Sequence, residues 1–275
     1  MLNNGIPVSI SLEPTLQREN AISKKKYDKK RLVRLSLLAV VIAVCISFIA
    51  KLLVFLIDLI TNIAFYGNFS IEPSSPIHHS YGIFVVIVPI VGGLIVGLMA
   101  LYGSKAIRGH GIPEAMEQIL TNQSKIKPSI TYLKPLSAAI SIGTGGPFGA
   151  EGPIIATGGA LGSTLGQLIK ITPNERKILL AAGATAGMSA IFGSPLAAIL
   201  LAIELLLFEF SARSFIPVAL ACITGAAGHH LLFEEGVVFP LNFQLQPASN
   251  YALLFYGTMG IVIGLISVIV TKVVY

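Results

Sequence analysis

Charge is scarce in this chain. Asp, Glu, Lys and Arg make up 12% of its 275 residues, about half the share usual in a soluble domain. So little charge cannot clothe a water-exposed surface, which excludes an ordinary soluble domain. Cysteine occurs twice. Cys45 and Cys222 both lie in apolar segments and read as small hydrophobes, which excludes a disulfide framework and a thiolate metal site. A cleavable signal peptide is missing too, because the first 31 residues are polar and the apolar run after them is too long for a signal core. No nucleophile and base, and no metal-ligand set, are spaced for catalysis, so the chain is not read as an enzyme and no cofactor is implied.

Apolar residues are plentiful, at 54% of the chain, with a mean hydropathy of +0.80. They define a polytopic membrane protein. Most of the net charge of +6 sits in the first 34 residues, in Arg18, Lys24, Lys25, Lys26, Lys29, Lys30, Arg31 and Arg34. Nucleic acid is excluded as a partner because a span follows directly. Beside a span, such a cluster holds the amino terminus in the cytoplasm and favours anionic lipid headgroups. Two regions follow: a basic cytoplasmic segment, 1–31, and a transmembrane domain, 32–275.

Residues 32–66 are long enough to span with strong tilt or to protrude. Lys51 and Asp58 share one face of that helix and read as snorkelling near the outer interface. The loop 67–80 carries Glu72, His78 and His79 without Lys or Arg, as suits the outside. Residues 83–102 form a second span, and Lys105 and Arg108 mark a cytoplasmic return. Beyond this the apolar pieces shorten and are broken by Gly and Pro: 112–120, 130–142, 154–169, 178–192 and 195–208. Such broken helices must be covered by protein or line a watery cavity, a pattern of transporters built from inverted repeats. Residues 215–232 and 251–275 are further spans. Between them Glu234 and Glu235, with His229 and His230 nearby, read as loop-edge composition rather than a metal cluster. The last span runs to the end of the chain with no polar tail, and the chain is expected to be a fragment that inserts without transporting.

Three Gly-Pro clusters carry the chemistry. The first is Gly109, His110, Gly111, Ile112, Pro113. The second runs from Gly143 through Gly149, Ala150, Glu151 and Gly152 to Pro153. The third is Phe192, Gly193, Ser194, Pro195. Each stands before a helical pattern with Pro in its first turn. Helix amino ends present unpaired N–H groups and partial positive charge. Two such ends aimed at one point make an anion site without a full cationic side chain. Glu151, a lone acid in an apolar run at a helix start, can fill that site when ionised and leave it when protonated; intramembrane acids are functional by default. Gly158, Gly162 and Gly166 read as close helix packing. A dinucleotide loop is rejected, because Gly143, Gly145 and Gly149 miss its spacing.

On these motifs, their order and their spacing, the chain resembles the CLC chloride channel and transporter family over residues 32–275. Gly109 to Pro113 resembles its Gly-Ser-Gly-Ile-Pro motif, and Gly149 to Pro153 its Gly-Lys/Arg-Glu-Gly-Pro motif. Gly193, Ser194, Pro195, Leu196 and Ala197 resemble its Asn-Ala-Pro-Leu-Ala stretch. The resemblance implies an all-α membrane fold with broken and re-entrant helices, here the first half of an inverted repeat. It implies a homodimer, and an integral protein of the plasma membrane. Glu151 falls on the gating glutamate. The anion-binding positions are Gly109, His110, Gly111, Ile112, Pro113, Gly149, Ala150, Gly152 and Pro153. Chloride is the transported ligand. There are departures: His110 replaces a serine, Ala150 replaces a basic residue, and Leu205 stands where proton-coupled members carry an internal glutamate. Glu204 beside it is the candidate for a proton path. The expectation is chloride movement that leans to passive, channel-like flow. A fluoride- or nitrate-preferring transporter and a non-transporting scaffold are the alternatives.

Overall fold

The computed structural model describes residues 29–109, 111–169, 171–233 and 249–274. It divides into two compact units, 1–235 and 236–275. Among the described residues every regular element is helical.

Helix α1, Lys29–Tyr66, has 38 residues, or about 57 Å at 1.5 Å per residue. A bilayer core is about 30 Å thick, so α1 is long enough to cross and to protrude. Its two faces are both apolar but differ in burial. Ala39, Ile42, Ala43, Ile46, Ala50 and Leu53 pack inside the protein, while Val33, Leu37, Val41, Val44, Phe48 and Leu52 are exposed. An apolar stripe that protein does not cover is what lipid permits and water does not. Helix α1 begins at Lys29, so the expected boundary at residue 31 falls inside its first turn; residues 1–28 lie outside the described ones.

The second span is composite. A 3₁₀ turn, Gly82–Val86, leads into α2, Ile87–Leu98, and a π turn, Met99–Gly103, ends it. Hydropathy alone gave one continuous stretch, because it does not distinguish these windings. The shorter pieces follow as α3 (Ile112–Thr121), α4 (Ile130–Gly143), α5 (Glu151–Leu168), α6 (Pro173–Phe192) and α7 (Pro195–Leu201). A π turn, Ala202–Leu207, closes α7, and α8 spans Ala212–Leu232. In the second unit α9 is Asn250–Val274. Among the described residues four stretches are long and apolar enough to cross a membrane: Lys29–Tyr66, Gly82–Gly103, Ala212–Leu232 and Tyr251–Val273.

Helix α6 is the hub of the first unit, with Ile178 to Ala182 and Ala184 to Ala186 all buried. Its small side chains let α5 approach closely. A Cβ on Gly158 would lie 2.1 Å from the Gly183 carbonyl oxygen, and one on Gly162 would lie 2.1 Å from that of Leu179. Gly158 and Gly162 therefore set a backbone-to-backbone crossing, as expected of small residues in membrane helices, whereas a Cβ on Gly166 would meet the Arg176 side chain at 3.0 Å.

Candidate functional site

The second Gly-Pro cluster is a turn between two helices. Thr144 caps α4, Gly145 takes φ +90°, and the Gly146 amide bonds the Ser141 carbonyl at 2.9 Å. The chain then enters α5 at Glu151, and no side chain caps that helix start. Its first amides are thus left for a ligand or water.

The first cluster meets it directly. Gly111, at φ +107°, sits so close that a Cβ would lie 2.2 Å from the Gly152 carbonyl oxygen. The starts of α3 and α5 are therefore in contact. Beside them opens a cavity of about 630 Å³. Gly109, Ile112 and Pro113 line it from the first cluster; Gly149, Glu151, Gly152 and Pro153 line it from the second. Ala150 caps α5 without lining the cavity, and His110 lies outside the described residues. Phe192 is the part of the third cluster that reaches the wall.

Glu151 is exposed at the cavity and accepts no hydrogen bond among the described residues. The two helix starts differ in capping. Glu114 reaches back to the Gly111 amide at 2.6 Å, so that N–H is already engaged, and the expectation of a wholly uncapped α3 start is corrected at this position.

A second correction concerns charge. The site was expected to lack a full cation, yet Lys134 of α4 lines the cavity and is only 5% exposed. Its ammonium donates to the carbonyl oxygens of Ile107 at 2.6 Å and Gly109 at 2.7 Å. Those carbonyl dipoles would repel an anion, and the lysine holds them while adding positive potential to the wall. Its trace in the sequence was a single basic residue inside the apolar run 130–142. Which way it pointed depended on how α4 packs. Ser137 and Ser141 of the same helix also line the cavity.

Glu204 is not brought to this site. It is exposed in the π turn after α7, where Leu201 is the wall residue. A π turn bonds i to i+5, so successive side chains there are not spaced as in an α-helix. His229 is structural: its Nδ1 is 2.9 Å from the Ala190 carbonyl oxygen and its ring stacks on Phe233. Lys51 rests over the rings of Phe55 and Phe233 at 4.7 and 4.8 Å. Glu234 and Glu235 lie outside the described residues. Among the described residues no three His, Cys, Asp or Glu side chains are grouped to hold a metal.

A family profile described as "Voltage gated chloride channel" matches residues 91–275. A putative chloride channel protein ClcB-like from Ralstonia nicotianae is 24% identical, over 66% of this chain and 43% of its own. An H(+)/Cl(-) exchange transporter ClcA from Yersinia pestis is 31% identical, over 61% of this chain and 35% of its own. The chloride channel protein CLC-f of Arabidopsis thaliana is 26% identical, over 69% of this chain and 24% of its own. The chain thus spans less than half the length of these relatives. Among solved structures, a slow cyanobacterial Cl-/H+ antiporter superposes with a TM-score of 0.67 at 20% identity, covering 85% of this chain and 54% of that one. A CLC-type fluoride/proton antiporter gives 0.64 at 20% identity, covering 87% and 57%.

Proposed function

The chain belongs to the voltage gated chloride channel family, an integral membrane family, and from that premise we propose that it forms part of a path for chloride or a similar anion through the cavity at the α3 and α5 starts, gated by Glu151. One observation supports this above the others: two Gly-Pro helix starts that are distant in sequence touch at Gly111 and Gly152, beside a carboxylate with no partner among the described residues. Helix amino ends attract anions. A carboxylate at the same place competes with the anion while ionised and releases it when protonated. Gly109, Ile112, Pro113, Gly149, Gly152 and Pro153 form the wall of the path, with Gly111 and Ala150 behind it and His110 beside Gly109 in sequence.

The relatives are named as channels and exchange transporters of chloride, which favours chloride over fluoride or nitrate as the cargo. We further read the working unit as a homodimer in the plasma membrane, its amino terminus cytoplasmic. Lys29, Lys30, Arg31 and Arg34 at the start of α1 support that orientation. Glu204 stands away from the cavity, which supports passive movement over proton exchange.

Anion flux from vesicles reconstituted with the full-length protein tests the reading. Glu151→Gln, which mimics the protonated acid, is expected to keep chloride flux high and make it nearly independent of external pH. A variant that retains the pH dependence of the parent removes Glu151 from the gate.

A further inference from the structure

A smaller cavity, about 170 Å³, opens where the start of α1 meets the turn between α5 and α6. Its α1 wall is Arg31, Arg34, Leu35 and Leu38, which occupy one stripe of the helix. Opposite stand Ile169, Ile171, Thr172 and Glu175. Arg31 is engaged there, donating to Glu175 at 2.5 and 3.0 Å. The same carboxylate accepts the Thr172 hydroxyl at 2.8 Å and the Thr172 amide at 3.1 Å. Burial opposes the charge on Glu175, but the bonds from Arg31 and Thr172 outweigh it and hold the carboxyl below its ordinary range. Its negative charge is therefore balanced within the protein. The Arg34 side chain is exposed one turn further along. The lining carries two arginines against one balanced carboxylate, beside four aliphatic side chains.

Depth decides what such a lining suits. Helix α1 passes from basic to apolar within one turn, so its arginines stand at headgroup level. Leu38 lies about 6 Å further along the axis than Arg34. A diffusible phosphate would use the arginines and have no use for the aliphatic walls. A phospholipid presents a phosphate and, just beneath it, glycerol and acyl methylenes.

We propose that this cavity seats the headgroup of an anionic phospholipid, its phosphate on Arg34 and its glycerol and first methylenes against Leu35, Leu38, Ile169 and Ile171. The inference requires membrane insertion only and is independent of the anion path. Thermal unfolding of the detergent-solubilised full chain reads occupancy, with short-chain phosphatidylglycerol as probe. Phosphatidylglycerol is expected to raise the midpoint; phosphatidylcholine and inorganic phosphate are not. Arg34→Gln is expected to weaken the phosphatidylglycerol titration about fivefold or more, and Lys29→Gln, which removes an equal charge on the same helix outside the cavity, to leave it within twofold. An equal shift with inorganic phosphate overturns the lipid as source. An equal shift with phosphatidylcholine overturns the anionic headgroup. An equal loss in Lys29→Gln overturns the site in favour of diffuse attraction. Native mass spectrometry counts the lipid retained if Arg34→Gln alters the unfolding midpoint by itself.

Discussion

Lys134 and Glu151 are the two charged side chains that line the large cavity among the described residues. Both line it, and they differ in restraint: Lys134 is buried with two carbonyl partners, whereas Glu151 is exposed at a helix start. A charge held by two short bonds stays in place, and one without such bonds can move. Lys134→Met keeps the apolar stem and deletes the ammonium, leaving the Ile107 and Gly109 carbonyls without their donor. Unsatisfied buried groups of this kind cost about 1–3 kcal/mol each. The variant is expected to unfold several degrees below the parent and to bind chloride at least tenfold more weakly. Isothermal titration with chloride beside a thermal scan checks both, and an unchanged affinity would show that the lysine serves packing of the loop alone.

At the level of elements, the glycines separate into two kinds. Those of α5 and α6 make room for a neighbouring backbone while keeping ordinary helical dihedrals. Gly111 does more, since it combines φ +107° with contact against Gly152. Gly111→Ala thus meets a backbone clash and a disfavoured conformation together, with strain of about 1–3 kcal/mol. The expected result is a protein that reaches the membrane but has a lowered unfolding midpoint and lost anion flux. Gly257→Ala in α9 is the matched control, because a Cβ there meets nothing within 4 Å. Normal flux in Gly111→Ala would mean that contact between the two helix starts is dispensable. The glycine motifs were legible as close-approach sites from spacing and proline position. Which carbonyl each glycine met was not, because that depends on the angle at which helices cross.

For the whole molecule the property to predict is coupling. Proton exchange requires a protonatable route between Glu151 and the cytoplasm. Glu204, the candidate, is exposed in a π turn and outside the cavity wall. A chloride gradient across vesicles holding the full-length protein is therefore expected to move chloride without driving protons uphill. External pH recorded during the gradient is the readout. Sustained uphill proton movement that Glu204→Gln abolishes, with chloride flux retained, would establish exchange and overturn the passive reading.

Residue order alone specifies the membrane environment, the order of the apolar helices among the described residues, and the positions of the Gly-Pro helix starts. Each of these follows from hydropathy over a window or from local backbone preference, which act between residues near one another in the chain. It also singled out Glu151, because an acid inside an apolar run stands out wherever the chain folds. Tertiary structure alone decided that Gly111 meets Gly152, that Lys134 turns onto the loop before α3, that Glu114 caps the Gly111 amide, and that Glu204 stays off the cavity. It also decided the small cavity, whose walls come from α1 and from a turn more than a hundred residues later. Such facts depend on helix crossing, on winding and on the direction of single side chains. Those are set by packing among distant segments, where hydropathy carries no directional information.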